Sequence, residues 1–204
     1  MEYGFFFDGT RCTGCKTCEA ACKDYHDLNA SLTYRRIYDY EGGRWDTCDN
    51  GSLTHRAWAY SVSLSCCHCG EAVCVQVCPT GAMHKEPEGL VRVDHHVCVG
   101  CGYCEIACPY HAPHVSAETK QSEKCDGCYD RLQAGRAPVC VAACPVRALG
   151  FGPFEELGAQ AGCVRAVAPL PVETFTDPHL VIRPASCAQP SDDRTGFVAN
   201  PQEV

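Results

Sequence analysis

The stretch Cys98-Val99-Gly100-Cys101-Gly102-Tyr103-Cys104-Glu105-Ile106-Ala107-Cys108-Pro109 has the spacing C-x2-C-x2-C-x3-C-P. A cubane iron–sulfur cluster needs thiolates that converge from a tight backbone turn. This spacing supplies three thiolates to one cluster and sends the fourth to its neighbour. Working outward, the 20 cysteines include four such groups of four: Cys12, Cys15, Cys18 and Cys22; Cys66, Cys69, Cys74 and Cys78; Cys98, Cys101, Cys104 and Cys108; and Cys125, Cys128, Cys140 and Cys144. Three groups end in Cys-Pro, at Pro79, Pro109 and Pro145. The pattern predicts four [4Fe–4S] clusters, and hence an electron carrier.

Composition agrees. With 204 residues but only 2 Met, 7 Phe and 2 Trp, the chain has little apolar bulk for a core, so the clusters must supply much of the structure. Cysteine this abundant in a short chain would ordinarily suggest a disulfide scaffold. Two features oppose that: Met1-Glu2-Tyr3-Gly4 does not read as a secretory signal, and the Cys-x-x-Cys spacing repeats in every group. Zinc would use four thiolates per ion but has no need of the x3-Cys-Pro ending. No stretch approaches the roughly 18 to 20 consecutive apolar residues of a membrane span, so a chain soluble by itself is expected. The formal charge of −8 omits the clusters. Each oxidised cluster with its four thiolates adds about two further negative charges, which argues against nucleic acid as a partner. A self-contained enzyme would need an acid, base or nucleophile constellation beside an open site. The nine histidines are scattered and no group lacks a cysteine, so a non-catalytic chain is expected.

Tyr3-Gly4-Phe5-Phe6-Phe7-Asp8 reads as a short strand, with Asp8-Gly9 as its turn into the first cysteine loop. The run Glu19-Ala20-Ala21-Cys22-Lys23-Asp24 has helix-forming composition, which carries Cys22 one turn beyond Cys18 and away from the first loop. The same order of strand, loop and helix returns at Leu90–Asp94, Cys98–Cys104 and Glu105–Cys108. The short link from Cys78 to Cys98, with a hairpin turn at Glu86-Pro87-Glu88-Gly89, joins motifs two and three, so motifs one and four pair across them. The predicted class is α+β: two pseudo-symmetric bacterial-type two-cluster ferredoxin units with inserted loops and an extended C-terminal arm. Residues 1–65 and 109–150 form the outer unit with its inserts, residues 66–108 the inner unit, and residues 151–204 a docking arm. The arm is rich in proline and has no cluster ligand. Its apolar strings Ala166–Leu170 and Leu180–Ile182 argue for burial against a partner or against the ferredoxin core.

Gly14, Gly100 and Gly127 each precede the second cysteine of their group, where a positive φ lets backbone N–H groups approach the sulfides. His68 holds that offset in motif two and reads as a hydrogen-bond donor or space filler rather than an iron ligand. Cys48, Cys67, Cys163 and Cys187 are left over and read as plain thiols. Arg11, Lys16, Lys23, Lys124 and Arg131 flank motifs one and four. They read either as cations that raise cluster potentials or as solvated charges.

The strings Tyr3-Gly4-Phe5-Phe6, Arg11–Cys18, Cys108-Pro109-Tyr110 and Lys124–Arg131 closely resemble the electron-transfer subunit of dimethyl sulfoxide reductase. The likeness continues through Arg147-Ala148-Leu149, Phe151-Gly152-Pro153, Val167–Pro171 and Gly196–Pro201, and so covers essentially the whole chain. It implies a relay between a molybdopterin-guanine-dinucleotide catalytic subunit, where dimethyl sulfoxide or a similar oxide is reduced, and an integral-membrane quinol-oxidising anchor subunit. By similarity, cluster 1 (Cys12, Cys15, Cys18, Cys144) lies nearest the molybdenum subunit. Cluster 2 (Cys125, Cys128, Cys140, Cys22) and cluster 3 (Cys66, Cys69, Cys74, Cys108) follow, and cluster 4 (Cys98, Cys101, Cys104, Cys78) lies nearest the membrane. Some relatives have tryptophan at the position of Cys101 and a three-iron cluster there; Cys101 implies four-iron clusters throughout. The competing readings are the same wire serving polysulfide, tetrathionate, selenate or catechol-dehydroxylating enzymes, and a free soluble polyferredoxin. The resemblance further implies a chain folded in the cytoplasm, where thiols stay reduced. It would then lie peripherally on the cytoplasmic membrane within a complex, exported with its partner to the outer face.

Overall fold

Phe5 and Phe7 share one face of the first strand, β1 (Tyr3–Asp8), because side chains alternate along extended backbone, and both are buried. The computed structural model describes residues 1–204. After the first cysteine loop comes α1 (Thr17–Tyr25). The insert that follows is a long antiparallel ribbon: β2 (Arg35–Gly42), β3 (Trp45–Thr47), β4 (Leu53–His55) and β5 (Trp58–Ser65). β2 and β5 pair from Arg35↔Ser65 to Gly42↔Trp58, and β3 and β4 close the exposed tip. The middle of the chain contains α2 (Val73–Gln76), β6 (Met83–Lys85), β7 (Val91–Val93) and α3 (Tyr103–Ala107). β6 and β7 form the hairpin expected around Glu86–Gly89, with the Gly89 N–H donating to the Glu86 carbonyl at 2.9 Å.

A two-residue ladder of β8 (His114–Val115) and β9 (Ser122–Glu123) leads to α4 (Tyr129–Gln133) and α5 (Val139–Ala143). Then come β10 (Leu149–Pro153), α6 (Phe154–Gly158), β11 (Leu180–Arg183) and β12 (Gly196–Val198). The result is a small mixed α and β fold. β1 is the middle strand of one sheet, antiparallel to β10 on one side and parallel to β11 on the other. α1 packs against α5, and α2 against α3. The main core joins Phe5, Phe7, Ile37, Val62, Leu64, Leu149, Leu180 and Ile182 to six of the grouped cysteines and two of the segments read as inserts.

The C-terminal segment differs from the expected arm. Leu180, Val181 and Ile182 are fully buried beside β1, and β12 adds to the edge of β2. Asn200 donates through its side-chain amide to the Ile37 carbonyl at 2.8 Å and accepts from the Asp39 N–H at 2.9 Å. The apolar strings in residues 151–204 are thus buried against the protein's own sheets. Lacking a hairpin partner in sequence, β11 satisfies its backbone by parallel pairing with a strand more than 170 residues earlier, beyond the reach of local turn signals.

Candidate functional site

Three turns of left-handed backbone shape the cysteine loops. Gly14, Gly100 and Gly127 have φ of 67°, 66° and 75°. At Gly100 a β-carbon would collide with the Lys120 carbonyl, so the loop admits no side chain there. His68 occupies the same offset at φ 47°. Lys16 and Gly102, the residues just ahead of α1 and α3, are also left-handed, and this starts each helix so that its third cysteine, Cys18 or Cys104, sits buried in the first turn. The proline after the fourth cysteine then acts. A residue before proline is forced out of helical geometry, and Cys108 and Cys144 accordingly stand at helix C-termini with ψ of 115° and 112°. Cys22 has no proline after it and remains inside α1.

These turns gather the cysteines across group boundaries. Cys78 lines one cavity together with Cys98, Cys101 and Cys104. Another is lined by Cys66, Cys69, Cys74 and Cys108, together with Cys67 and Tyr110. Cys12 is pushed up mainly by burial, and it also feels Cys18, Cys144 and Cys15. Cys22 is pushed up to about 12, again mainly by burial, with Cys140 and Cys128 beside it. Cys125 lies well above the ordinary thiol range through burial, near Cys22 and Cys140. In each place three cysteines from one region meet one from another.

Backbone and hydroxyl donors point at the sulfurs. The Met83 N–H donates to Cys78 Sγ at 3.3 Å, Ser122 N–H to Cys98 Sγ at 3.4 Å, Gly127 N–H to Cys125 Sγ at 3.4 Å and Ala148 N–H to Cys144 Sγ at 3.2 Å. Ser63 and Ser122 hydroxyls lie 3.6 Å and 3.2 Å from Cys18 and Cys104. Buried thiols such as Cys69 and Cys74, both pushed up to about 12 by burial, are neutral, so a metal bound there must displace their protons. Cys15 is different: the Thr17 hydroxyl and N–H hold it below the usual thiol value at an exposed position.

Of the cations singled out in the sequence, only Lys124 is buried, donating to the carbonyls of Val91 and Cys125. Lys16 pairs with Glu203, Lys23 caps the carbonyls of Asn29, Ala30 and Leu32, Arg131 binds the Ala137 carbonyl over the Tyr25 ring, and Arg11 is exposed. Two residues not foreseen as functional also approach the sulfurs. His26 Nε2 is 3.6 Å from Cys128 Sγ, and Arg35 is fully buried beside Ser63 and Ser65. The only signal for Arg35 was its place on the same strand face as Ile37. His68 is fully buried, its Nδ1 accepts the Val91 N–H at 2.9 Å, and its Nε2 lies 4.0 Å from Cys125 Sγ. Of the leftover cysteines, Cys67 is buried beside the second cavity, while Cys48, Cys163 and Cys187 are half-buried away from the cavities.

This donor set, all thiol, converging and shielded, suits iron–sulfur clusters. Comparison with known proteins agrees. Residues 57–154 match the family described as "4Fe-4S dicluster domain", and residues 10–27 match a "4Fe-4S binding domain". The iron–sulfur subunit of the anaerobic dimethyl sulfoxide reductase of Escherichia coli (strain K12) is 53% identical over 203 residues, covering 100% of this chain and 98% of that protein. The corresponding subunit of the Haemophilus influenzae reductase is 50% identical over 203 residues, with 100% and 99% covered. The thiosulfate reductase electron transfer subunit PhsB of Salmonella typhi is 39% identical over 156 residues, which is 76% of this chain and 78% of that protein.

Proposed function

The protein belongs to the family of iron–sulfur subunits represented by that of anaerobic dimethyl sulfoxide reductase, and from that premise we propose that it relays single electrons through four [4Fe–4S] clusters between two partner subunits. It is an electron-transfer subunit of a molybdenum reductase, not the subunit that binds the oxide. The proposed ligand sets are Cys12, Cys15, Cys18 and Cys144; Cys125, Cys128, Cys140 and Cys22; Cys66, Cys69, Cys74 and Cys108; and Cys98, Cys101, Cys104 and Cys78. The first two sets make the outer ferredoxin unit, built on α1, α5, β1 and β10. The last two make the inner unit, built on α2, α3, β6 and β7.

The observation that carries the reading is the meeting of Cys78 with Cys98, Cys101 and Cys104 in one cavity, because a group that closed on itself would have left Cys78 elsewhere. Each bound cluster takes up and passes on one electron. The protein's own residues hold the thiolates, direct N–H groups at the sulfurs and keep water from the middle of the row. Exposure supports two docking ends. Cys15 and Cys101 are the two exposed grouped cysteines. Cys101 is ringed by the exposed Val97, Val99, Tyr103 and Ile106, an apolar collar suited to a membrane-anchor subunit that oxidises quinol. In this reading Cys15 faces the molybdopterin-guanine-dinucleotide subunit, which reduces dimethyl sulfoxide or a similar oxide. No helix is long and apolar enough to cross a membrane, so attachment to the cytoplasmic membrane rests on the anchor. The protein loads its clusters in the cytoplasm and is carried with the catalytic partner to the outer face.

Co-expression with both partners and purification of the complex tests this. The expected iron is about sixteen per chain, four for each cubane, beyond any iron held by the catalytic subunit. About eight iron, or tightly bound zinc, would overturn the cluster count. Recovery of the protein alone, free of a molybdenum subunit, would overturn the partner assignment.

A further inference from the structure

Arg35 is a buried cation without an anion. It lies in the first residue of β2, facing Ser65 of β5, and is among the most deeply buried side chains in the molecule. One terminal nitrogen donates to Ser63 Oγ at 3.0 Å and the other to Ser65 Oγ at 2.8 Å, both neutral acceptors. The guanidinium covers the Phe5 ring at 4.8 Å, and its Nε is buried with no partner. No carboxylate pairs with it: the nearby buried Asp8 pairs with Arg183 instead. Removing a charge from water costs several kcal/mol unless an opposite charge repays it. Neutral hydroxyls and an aromatic face do not supply one.

What surrounds Arg35 is sulfur. Ser63, which accepts from it, lies 3.6 Å from Cys18 Sγ, and Ser65 leads directly into Cys66 and Cys67. Arg35 and Cys18, Cys140, Cys125 and Cys22 each feel the other's charge. These cysteines divide between the first two proposed ligand sets. The cavity around Cys101, by contrast, has no basic residue in its lining.

We propose that Arg35 is the shared counter-ion of the two clusters of the outer unit, seated between them and holding both reduction potentials above that of the cluster ligated by Cys101. The inference rests on the cluster reading above. A reduced cluster carries one more negative charge than the oxidised one, so a fixed cation nearby favours reduction, and low-dielectric surroundings make it effective. One residue thus serves two sites, and its removal moves both together.

The test is a redox titration followed by electron paramagnetic resonance on the purified complex, with Arg35→Met, Arg35→Lys and the parent protein. Cys101→Ser marks the signal of the cluster at the far end. Arg35→Met is expected to keep its iron while two potentials fall by at least about tenfold in reduction equilibrium, about 59 mV for one electron. The Cys101-marked potential stays within about threefold of the parent, and Arg35→Lys, which keeps the charge, stays within about threefold at all four clusters. Four unshifted potentials in a loaded Arg35→Met protein overturn the proposal. So does an equal shift of the Cys101-marked cluster, or a shift in Arg35→Lys as large as in Arg35→Met. If Arg35→Met fails to load iron, Arg35→Lys decides: loading with parent potentials upholds the counter-ion, and failure to load or shifted potentials overturns it. A parent protein with fewer than four clusters would instead sink the functional reading, before any variant is compared.

Discussion

His68 Nε2 stands 4.0 Å from Cys125 Sγ, joining a loop of the second cysteine group to a sulfur of the fourth. Because Nδ1 accepts the Val91 N–H, the single proton of the neutral ring belongs on Nε2 and points at that sulfur. Burial holds the ring well below the usual histidine range, so it stays neutral. Replacing His68 with Phe fills the space without the donor. The cluster ligated by Cys125 is then expected to become harder to reduce, with iron content kept, as read by redox titration. An unchanged set of potentials would show that the imidazole only fills space.

Gly100 and Gly81 separate two kinds of glycine. Both have positive φ, at 66° and 70°, but only Gly100 faces backbone that a β-carbon would strike, while Gly81 has open space. Gly81→Ala is expected to cost about 1 to 2 kcal/mol of stability, the ordinary penalty of left-handed backbone. Gly100→Ala is expected to cost more and to lose the iron of the Cys101 cluster. Iron analysis and thermal unfolding of the two variants check the difference. Equal losses would remove the steric argument.

The tail yields a prediction about folding. Leu180, Val181 and Ile182 are buried beside β1, and at roughly 1.5 to 3 kcal/mol each their loss takes away about 5 to 9 kcal/mol. That is comparable to the whole stability of a typical domain, about 5 to 15 kcal/mol. Deleting residues 176–204 should therefore abolish iron loading together with folding. A truncated protein that keeps its full iron would mean that β11 is dispensable.

Acid should weaken the fold through His179. It is buried, stacked on Phe154 at 4.3 Å, and desolvation holds its pKa below the ordinary value despite Glu2 at 3.3 Å. The unfolded state then binds a proton that the folded state refuses. This contribution is therefore intact above pH about 6.5 and is lost as the pH falls below it, by at most about 1.4 kcal/mol per pH unit. His179→Phe should flatten that part of the stability profile between pH 7 and 5, as followed by denaturant unfolding of the loaded complex. A parallel profile in the variant would exclude His179 as the source.

Much of the cysteine framework could be read because its determinants are local. The glycine before the second cysteine, the helix after the third and the proline after the fourth each act within a few residues, and Gly100, α3 and Pro109 realise them in order. Arg35 was not legible. Its string Tyr34-Arg35-Arg36-Ile37-Tyr38 marks a segment rich in rings and charge, yet its burial depends on a register with Ser65 that only the folded ribbon sets. The tail failed for the same reason: the apolar string Leu180–Ile182 announces burial, but its partner strand lies at the other end of the sequence. His68 fell between these cases, since its offset in the loop was visible and its target sulfur was not.

The placement of β1 has a consequence for biosynthesis. Its two neighbours in the sheet are residues 149–153 and 180–183, so the first strand to leave the ribosome has no partner until nearly the whole polypeptide has followed it. Cys12, Cys15 and Cys18 likewise lie near Cys144 rather than near the fourth cysteine of their own group. The amino-terminal loop must wait, with its thiols uncovered, while the interior of the sequence is still being translated. Pairings this distant in sequence close slowly. The nascent polypeptide therefore has an interval in which a holding factor or a ready supply of iron–sulfur clusters decides whether it assembles or is lost to oxidation and aggregation.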